Sequence, residues 1–218
     1  MGLGLQRNDG ADFKPIVKYD SRAGRIFRVD RHDGESTPVE ITQGFSAIFD
    51  LANIQVGWVL FSEGGAPDWS MVPIGGSLPS RPSKDHKQGF RMDIKLAKSA
   101  GGDVRDFASA AGCVIGAMDT LYDQYRAAPE AAQGKLPVVA LTGTTVAKSG
   151  QSTNYAPVFQ IRQWVDRPAE LPVKVANGAA QANGHANGSA QPQGGSYVPP
   201  PVTVAQASQP AATGQDEF

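Results

Sequence analysis

Phe90-Arg91-Met92-Asp93-Ile94-Lys95-Leu96 alternates apolar and charged side chains without a break. A period of two places Phe90, Met92, Ile94 and Leu96 on one face and Arg91, Asp93 and Lys95 on the other, which predicts a half-buried strand with a basic outer face. The pattern then changes. Asp103 can cap a helix in which Phe107, Ala111, Val114, Met118, Leu121 and Tyr125 recur at three- and four-residue spacing, until Ala127-Ala128-Pro129 stops it. Upstream, Arg25-Ile26-Phe27-Arg28-Val29 is β-prone and is followed by the turn His32-Asp33-Gly34-Glu35. Pro38 to Leu51 and Ile54 to Phe61 read as further strands, with Gly64-Gly65-Ala66-Pro67 closing the second. Gly75 to Gln88 is polar, basic and rich in Gly and Pro, and reads as a long loop. Downstream, Leu136 to Thr142 and Tyr155 to Val165 read as strands around a turn at Ser149-Gly150-Gln151.

Several strands, one central helix and a closing hairpin follow the order of an OB-fold, whose helix lies between the third and fourth strands and plugs the barrel. The expected fold class is therefore mainly β: an OB-fold-like antiparallel barrel with one central α-helix and a disordered C-terminal tail. One or two strands exceed the minimal five, so the extra material should extend the sheet or form a protruding hairpin. A domain of 1–172 can bury roughly 70 % of its unfolded surface unaided. One domain is expected.

From Asn177 to Thr213 the chain is chiefly Ala, Gly, Gln, Asn, Pro and Ser, with Tyr197 the only aromatic and no charge apart from His185, and little could offset the entropy of ordering. Residues 173–214 read as a disordered low-complexity linker. Residues 215–218, Gln215-Asp216-Glu217-Phe218, gather two carboxylates and one ring, suited to a partner with a basic rim around an apolar pocket. This arrangement resembles the single-stranded DNA-binding proteins of bacteria and their phages, in which an OB-fold core is followed by a Gly/Pro/Gln-rich linker and an acidic tip ending in Phe. Bacterial members carry a longer acidic run with Ile-Pro before the Phe, so only Asp216, Glu217 and Phe218 carry over. The segments Lys135–Val139, Asn154–Phe159 and Trp164–Pro168 also resemble a block in phage replication-region proteins. The resemblance implies sequence-independent binding and protection of single-stranded DNA in replication, recombination and repair. It also implies recruitment of a polymerase, helicase or nuclease through the acidic tip.

The formal net charge is −1, but the cations cluster. Lys14, Lys18, Arg22, Arg25, Arg28 and Arg31 fall in one stretch, and Arg81, Lys84, Lys87, Arg91, Lys95 and Lys98 in another. Such stretches can line a groove for phosphates or form an ordinary solvated face. The one cysteine, Cys113, allows neither an internal disulfide nor a cysteine-based zinc site and suits a reducing compartment. With no signal peptide and no membrane-spanning run, the expected location is the cytoplasm, or a bacterial host's cytoplasm or nucleoid if the gene is a phage's. Self-association is compatible with the sequence.

Enzyme signatures fail on inspection, and no catalysis, cofactor or metal is expected. Thr142 to Ser149 imitates a P-loop, but Thr142 and Ala147 stand where glycines belong, so it reads as a turn. His32, His86 and His185 lack paired ligand spacing and read as surface residues. No Ser-His-acid arrangement is evident, Cys113 falls inside the apolar helix, and Asp119 and Asp123 face solvent.

A protein that binds single strands without reading sequence needs flat rings along a basic groove. The candidate DNA-binding residues are Arg25, Phe27, Arg28, Trp58, Trp69, Lys84, Lys87, Arg91, Lys95, Tyr155, Arg162 and Trp164. On the last strand Arg162 and Trp164 should share one face, with Phe159, Ile161 and Val165 on the core-like face, which makes Trp164 the leading stacking candidate. Val56 and Leu60 share the face of Trp58 and draw it towards burial. The rival reading is a phage virion or assembly protein, in which an all-β domain with a flexible extension is structural. A second rival is an enzyme with a deep pocket lined by Asp93, Arg91 or His86.

Overall fold

The alternation at Phe90–Leu96 becomes the central strand of the molecule. A computed structural model describes residues 14–32, 35–61, 67–149 and 152–174, and within them the chain forms ten strands and two helices. In chain order the strands are β1 (Ile16–Asp20), β2 (Arg25–His32), β3 (Glu35–Glu40), β4 (Ser46–Phe49), β5 (Gln55–Leu60) and β6 (Asp68–Pro73), then β7 (Lys87–Leu96), β8 (Val104–Ser109), β9 (Leu136–Ser149) and β10 (Ser152–Val165). Helix α1 (Gly112–Ala127) and the short α2 (Pro129–Ala132) lie between β8 and β9.

The strand path is β10-β9-β4-β7-β8-β1-β2-β3, with β5 joining β7 and carrying β6. Every pairing is antiparallel except that of β1 with β8. The path is open. The expected barrel is thus corrected to an open sheet, and both strands that end the path carry a proline, Pro38 in β3 and Pro157 in β10, which cannot donate to a closing ladder.

The sheet nevertheless curls. Flat spacing would put β8 and β10, four steps apart on the path, roughly 19 Å from each other. Yet the Phe107 and Phe159 rings lie 6.3 Å apart, and Phe49 of β4 touches both, at 6.0 and 5.6 Å. Val114, Met118, Leu121 and Tyr125 of α1 fill the space inside the curl. Beyond the core, the distal half of the β9–β10 hairpin runs on with Thr142 to Val146 exposed. Tyr155 meets the β1–β2 turn there, its N–H donating to the Ser21 carbonyl (2.7 Å) and its carbonyl accepting from the Tyr19 hydroxyl (2.9 Å).

Several sequence expectations are corrected. The helix starts at Gly112, not after Asp103, because Val104–Ser109 is the strand β8; Phe107 is buried there in a β ladder opposite Met92. The helix follows eight strands rather than the four expected from sequence, since β1, β6 and β8 are additional and the stretch from Pro38 to Leu51 holds two. Pro38 to Leu51 divides into β3 and β4, and Thr142 to Ser149 is strand, not turn.

The fold continues to the end of the described residues. Leu171 is completely buried with Ile48, Leu136 and Val138 in a second cluster on the other side of β4 and β9, with Val104 and Val165 packed against it. Asn53 then donates to the Pro172 carbonyl (3.1 Å), and the Lys174 N–H donates to Asn53 Oδ1 (3.3 Å). Leu171→Ala should therefore cost about 2–5 kcal/mol of unfolding free energy, as a core leucine does, measured by urea denaturation.

Candidate nucleic-acid interface

Residues directly opposite across a ladder share a face, so the register assigns each side chain to one side of the sheet. Phe27 is opposite Lys18, Arg91 is opposite Ala108 and Gln55, Lys87 is opposite Val59, and Val59 is opposite Trp69. The β1–β8 register places Ile16 beside Asp106, on the face that Asp106 shares with Asp93 and Arg91. With alternation along each strand, Arg25, Phe27, Lys18, Lys87, Arg91 and Trp69 all fall on the convex side, away from the Phe49–Phe107–Phe159 core.

Three of these residues, Lys87, Arg91 and Trp69, lie on or beside β7, and Phe61 joins them. The Arg91 guanidinium sits 5.3 Å from the Trp69 ring centroid, and Phe61 meets the same indole edge-on at 5.7 Å. Phe61 is 54 % exposed, which makes it the most accessible ring of the group. Arg91 is anchored, its Nε donating to Asp106 Oδ2 at 2.8 Å. Arg25 pairs with Glu40 at 2.9 Å on the exposed rim, and Lys18 and Lys87 are exposed.

The remaining candidates lie elsewhere. Arg28 points to the opposite face, donating to the Ala100 carbonyl (2.8 Å) and pairing with Asp30 (3.1 Å). Trp58 also lies on the opposite side of β5, where its Nε1 donates to the Pro79 carbonyl (2.8 Å) and Arg81 covers its ring at 5.3 Å. Lys84 is exposed in the loop before β7. Tyr155 is engaged at the β1–β2 turn, and Arg162 is exposed on β10.

Trp164 does not share a face with Arg162. The β10–β9 register shifts between Ile161 and Gln163, and this irregularity breaks the alternation. Trp164 therefore turns to the core with Phe159 and Ile161, stacks on Tyr125 at 5.9 Å, and leaves Val165 to the second cluster. Lys95 is likewise taken. It is only 9 % exposed, because the C-terminal segment crosses the convex face and Glu170 accepts from its Nζ at 2.9 Å. The tip residues Asp216, Glu217 and Phe218 lie outside the described residues.

Beneath the face is a charged layer that alternation alone does not reveal. Asp93 and Asp106 stand directly opposite each other, 8 % and 6 % exposed. Burial raises the pKa of Asp93, but Lys14 (2.6 Å) and Lys174 (3.0 Å) outweigh it and hold the carboxyl below its usual value. For Asp106 burial wins over Arg91 and pushes the pKa up, and its Oδ1 is buried with no hydrogen-bond partner. One carboxylate is fixed by two lysines, while burial raises the pKa of its neighbour.

His86, read from sequence as a surface residue, is 4 % exposed. Its Nδ1 lies 2.8 Å from Ser83 Oγ and its Nε2 3.2 Å from Asp68 Oδ2, so a Ser-His-Asp grouping exists that the sequence reading did not find. The Ser83 hydroxyl also accepts the Asp85 N–H (3.3 Å), and the group ties the loop after β6 to Asp68 at the start of that strand. Among the described residues no cluster of three metal-ligating side chains occurs.

The sign of the Asp93 shift sets a pH dependence. A carboxyl whose folded pKa is depressed contributes stability above its unfolded pKa and loses it as pH falls through the folded value. Asp93→Asn should cost about 1–2 kcal/mol at neutral pH, with the solvent access of both lysines limiting the loss. The gap from the parent protein should close as pH drops below the ordinary carboxylate range, read from denaturation curves across pH.

No protein-family model, curated protein or solved structure matches the chain.

Proposed function

We propose that this chain binds single-stranded DNA without reading its sequence, using the convex face around β7. The observation that carries the proposal is the gathering of Phe27, Phe61 and Trp69 with Lys18, Lys87 and Arg91 on one side of one sheet. Unpaired bases offer π-faces to such rings and phosphates to such cations, whereas a duplex keeps its bases stacked on each other. Arg91 is held by Asp106 and covers Trp69, so Phe27 and Phe61 are assigned the stacking and Lys18 and Lys87 the phosphate contacts. The curled sheet with α1 inside it is read as a relative of the OB-fold with an unclosed seam. On sequence alone, the proposal extends to Asp216, Glu217 and Phe218 as a contact for replication or recombination proteins, and to a cytoplasmic place of work. It assigns the protein no catalysis.

The test is fluorescence anisotropy of labelled oligo-dT of about 30 nucleotides, long enough for several sites of the usual size, against a duplex of equal length. The full-length protein should prefer the single strand. Phe27→Ala and Phe61→Ala should each weaken binding by about 1–3 kcal/mol, and Lys18→Ala should lower the slope of log K against log salt by about 0.7. Trp164→Phe should leave affinity unchanged. Absence of binding at low salt would defeat the proposal and put the virion or assembly reading first.

A further inference from the structure

On the opposite side of β5 from Trp69 lies a groove that the proposed DNA face does not use. Its floor is the cross-strand pair Gly57 and Gly89, and its walls include Val56, Leu78, Phe90 and Tyr122. Both glycines are required by the fold. A Cβ on Gly57 would overlap the Ser70 carbonyl oxygen, and one on Gly89 would lie 2.7 Å from the Ser109 carbonyl oxygen. Both Cβ positions lie on the side of Val59 and Met71, so towards the groove the two residues present backbone alone, between the Val56–Phe90 and Trp58–Gln88 pairs.

The volume is about 250 Å³, below the roughly 300–1,000 Å³ that drug-sized ligands occupy, so the groove suits a single ring system. The loop that overhangs it is fastened. Trp58 Nε1 holds the Pro79 carbonyl, Arg81 Nε holds the His86 carbonyl (2.9 Å), and His86 Nε2 reaches Asp68. Leu78 of that loop is 50 % exposed while lining the groove, an apolar side chain offered to whatever enters.

Two polar side chains stand among the apolar walls, Gln88 and Asp119, and both are exposed at the mouth. Asp119 follows Ile115 by one helical turn and precedes Tyr122 by another, so all three share a side of α1. A carboxylate accepts hydrogen bonds and donates none, and its two oxygens match two parallel N–H donors. Among the nucleobases only guanine presents two such donors side by side, N1–H and the N2 amine.

We infer that this groove binds one guanine base, the ring lying on the Gly57–Gly89 floor and its donor edge paired with Asp119. The base comes either from a free nucleotide or from a strand; the second source rests on the DNA-binding reading above, the first does not.

Ligand-observed NMR titration of the full-length protein with dGMP, dIMP, dAMP and dTMP tests the site, since hypoxanthine differs from guanine only in lacking the N2 amine. The expected result is dGMP about tenfold tighter than dIMP, within the range a bidentate base contact discriminates. Asp119→Asn should abolish that preference while melting temperature and oligo-dT affinity stay unchanged. Equal affinities for dGMP and dIMP, a preference that survives Asp119→Asn, no nucleotide binding at millimolar concentration, or tighter binding of arginine amide than of dGMP would each overturn the inference. A companion titration compares oligo-dT carrying one dG with the same strand carrying one deoxyinosine. Discrimination in both formats assigns the base to a strand, and discrimination in the mononucleotide alone assigns it to a free nucleotide. Failure of oligo-dT to bind at all would defeat the DNA reading and leave the dGMP titration decisive for the groove.

Discussion

Strand β7 has two edges and three partners. β8 occupies one edge from Phe90 to Lys95, while the other is divided between β5, opposite Lys87 to Arg91, and β4, opposite Ile94 to Leu96. A single sheet cannot remain flat when one strand serves two neighbours in succession, so the β5–β6 limb and the β4–β9–β10 limb diverge. The divergence creates both surfaces of interest. It closes the Phe49–Phe107–Phe159 core on one side and leaves a convex face on the other, and it opens the groove between the β5 limb and α1. Gly57 and Gly89 face each other in the diverging limb, where no larger residue fits.

The same strand organises the electrostatics. Beyond Lys87, its outward side chains are Arg91, Asp93 and Lys95, and each of these three is committed: Arg91 to Asp106, Asp93 to Lys14 and Lys174, Lys95 to Glu170. Buried charges require such partners, because an unpaired one would cost several kcal/mol. Cations fixed in this way are held by carboxylates, and the proposed phosphate contacts fall to the exposed Lys18 and Lys87. Among the described residues the buried acids are Asp50, Asp93 and Asp106, and each stands in an ion pair.

How much of this was legible depends on the residue. The alternation of Phe90 to Leu96 marks the strand and its core face, since a period of two has no helical counterpart, but not the burial of Asp93 and Lys95 on the other face. Phe107 was misleading because it stands at helical spacing from Ala111 and Val114 although it lies in β8; its neighbours Arg105 and Asp106 pair inside the fold and so did not look like strand residues. Ile16–Asp20 was hidden among basic residues. Trp164 was assigned to the wrong face because a register irregularity between Ile161 and Gln163 has no local sequence signature. Lys95 and His86 were read as exposed because their partners, Glu170 and Asp68, are 75 and 18 residues away in the chain. Residues Phe61 and Lys18 carry more weight in the structure than their sequence surroundings suggest: the register brings Lys18 to the face of Arg91, and a ring contact joins Phe61 to Trp69.

The central claim is that a single strand lies on the convex face around β7. It is tested most directly by photo-crosslinking a 5-bromodeoxyuridine oligonucleotide to the full-length protein and mapping the modified peptides by mass spectrometry. Crosslinks at Phe27, Phe61 or Trp69 are the result this account predicts. Crosslinks confined to Trp164 or Tyr155, or none under conditions in which a known single-strand binder reacts, would contradict it.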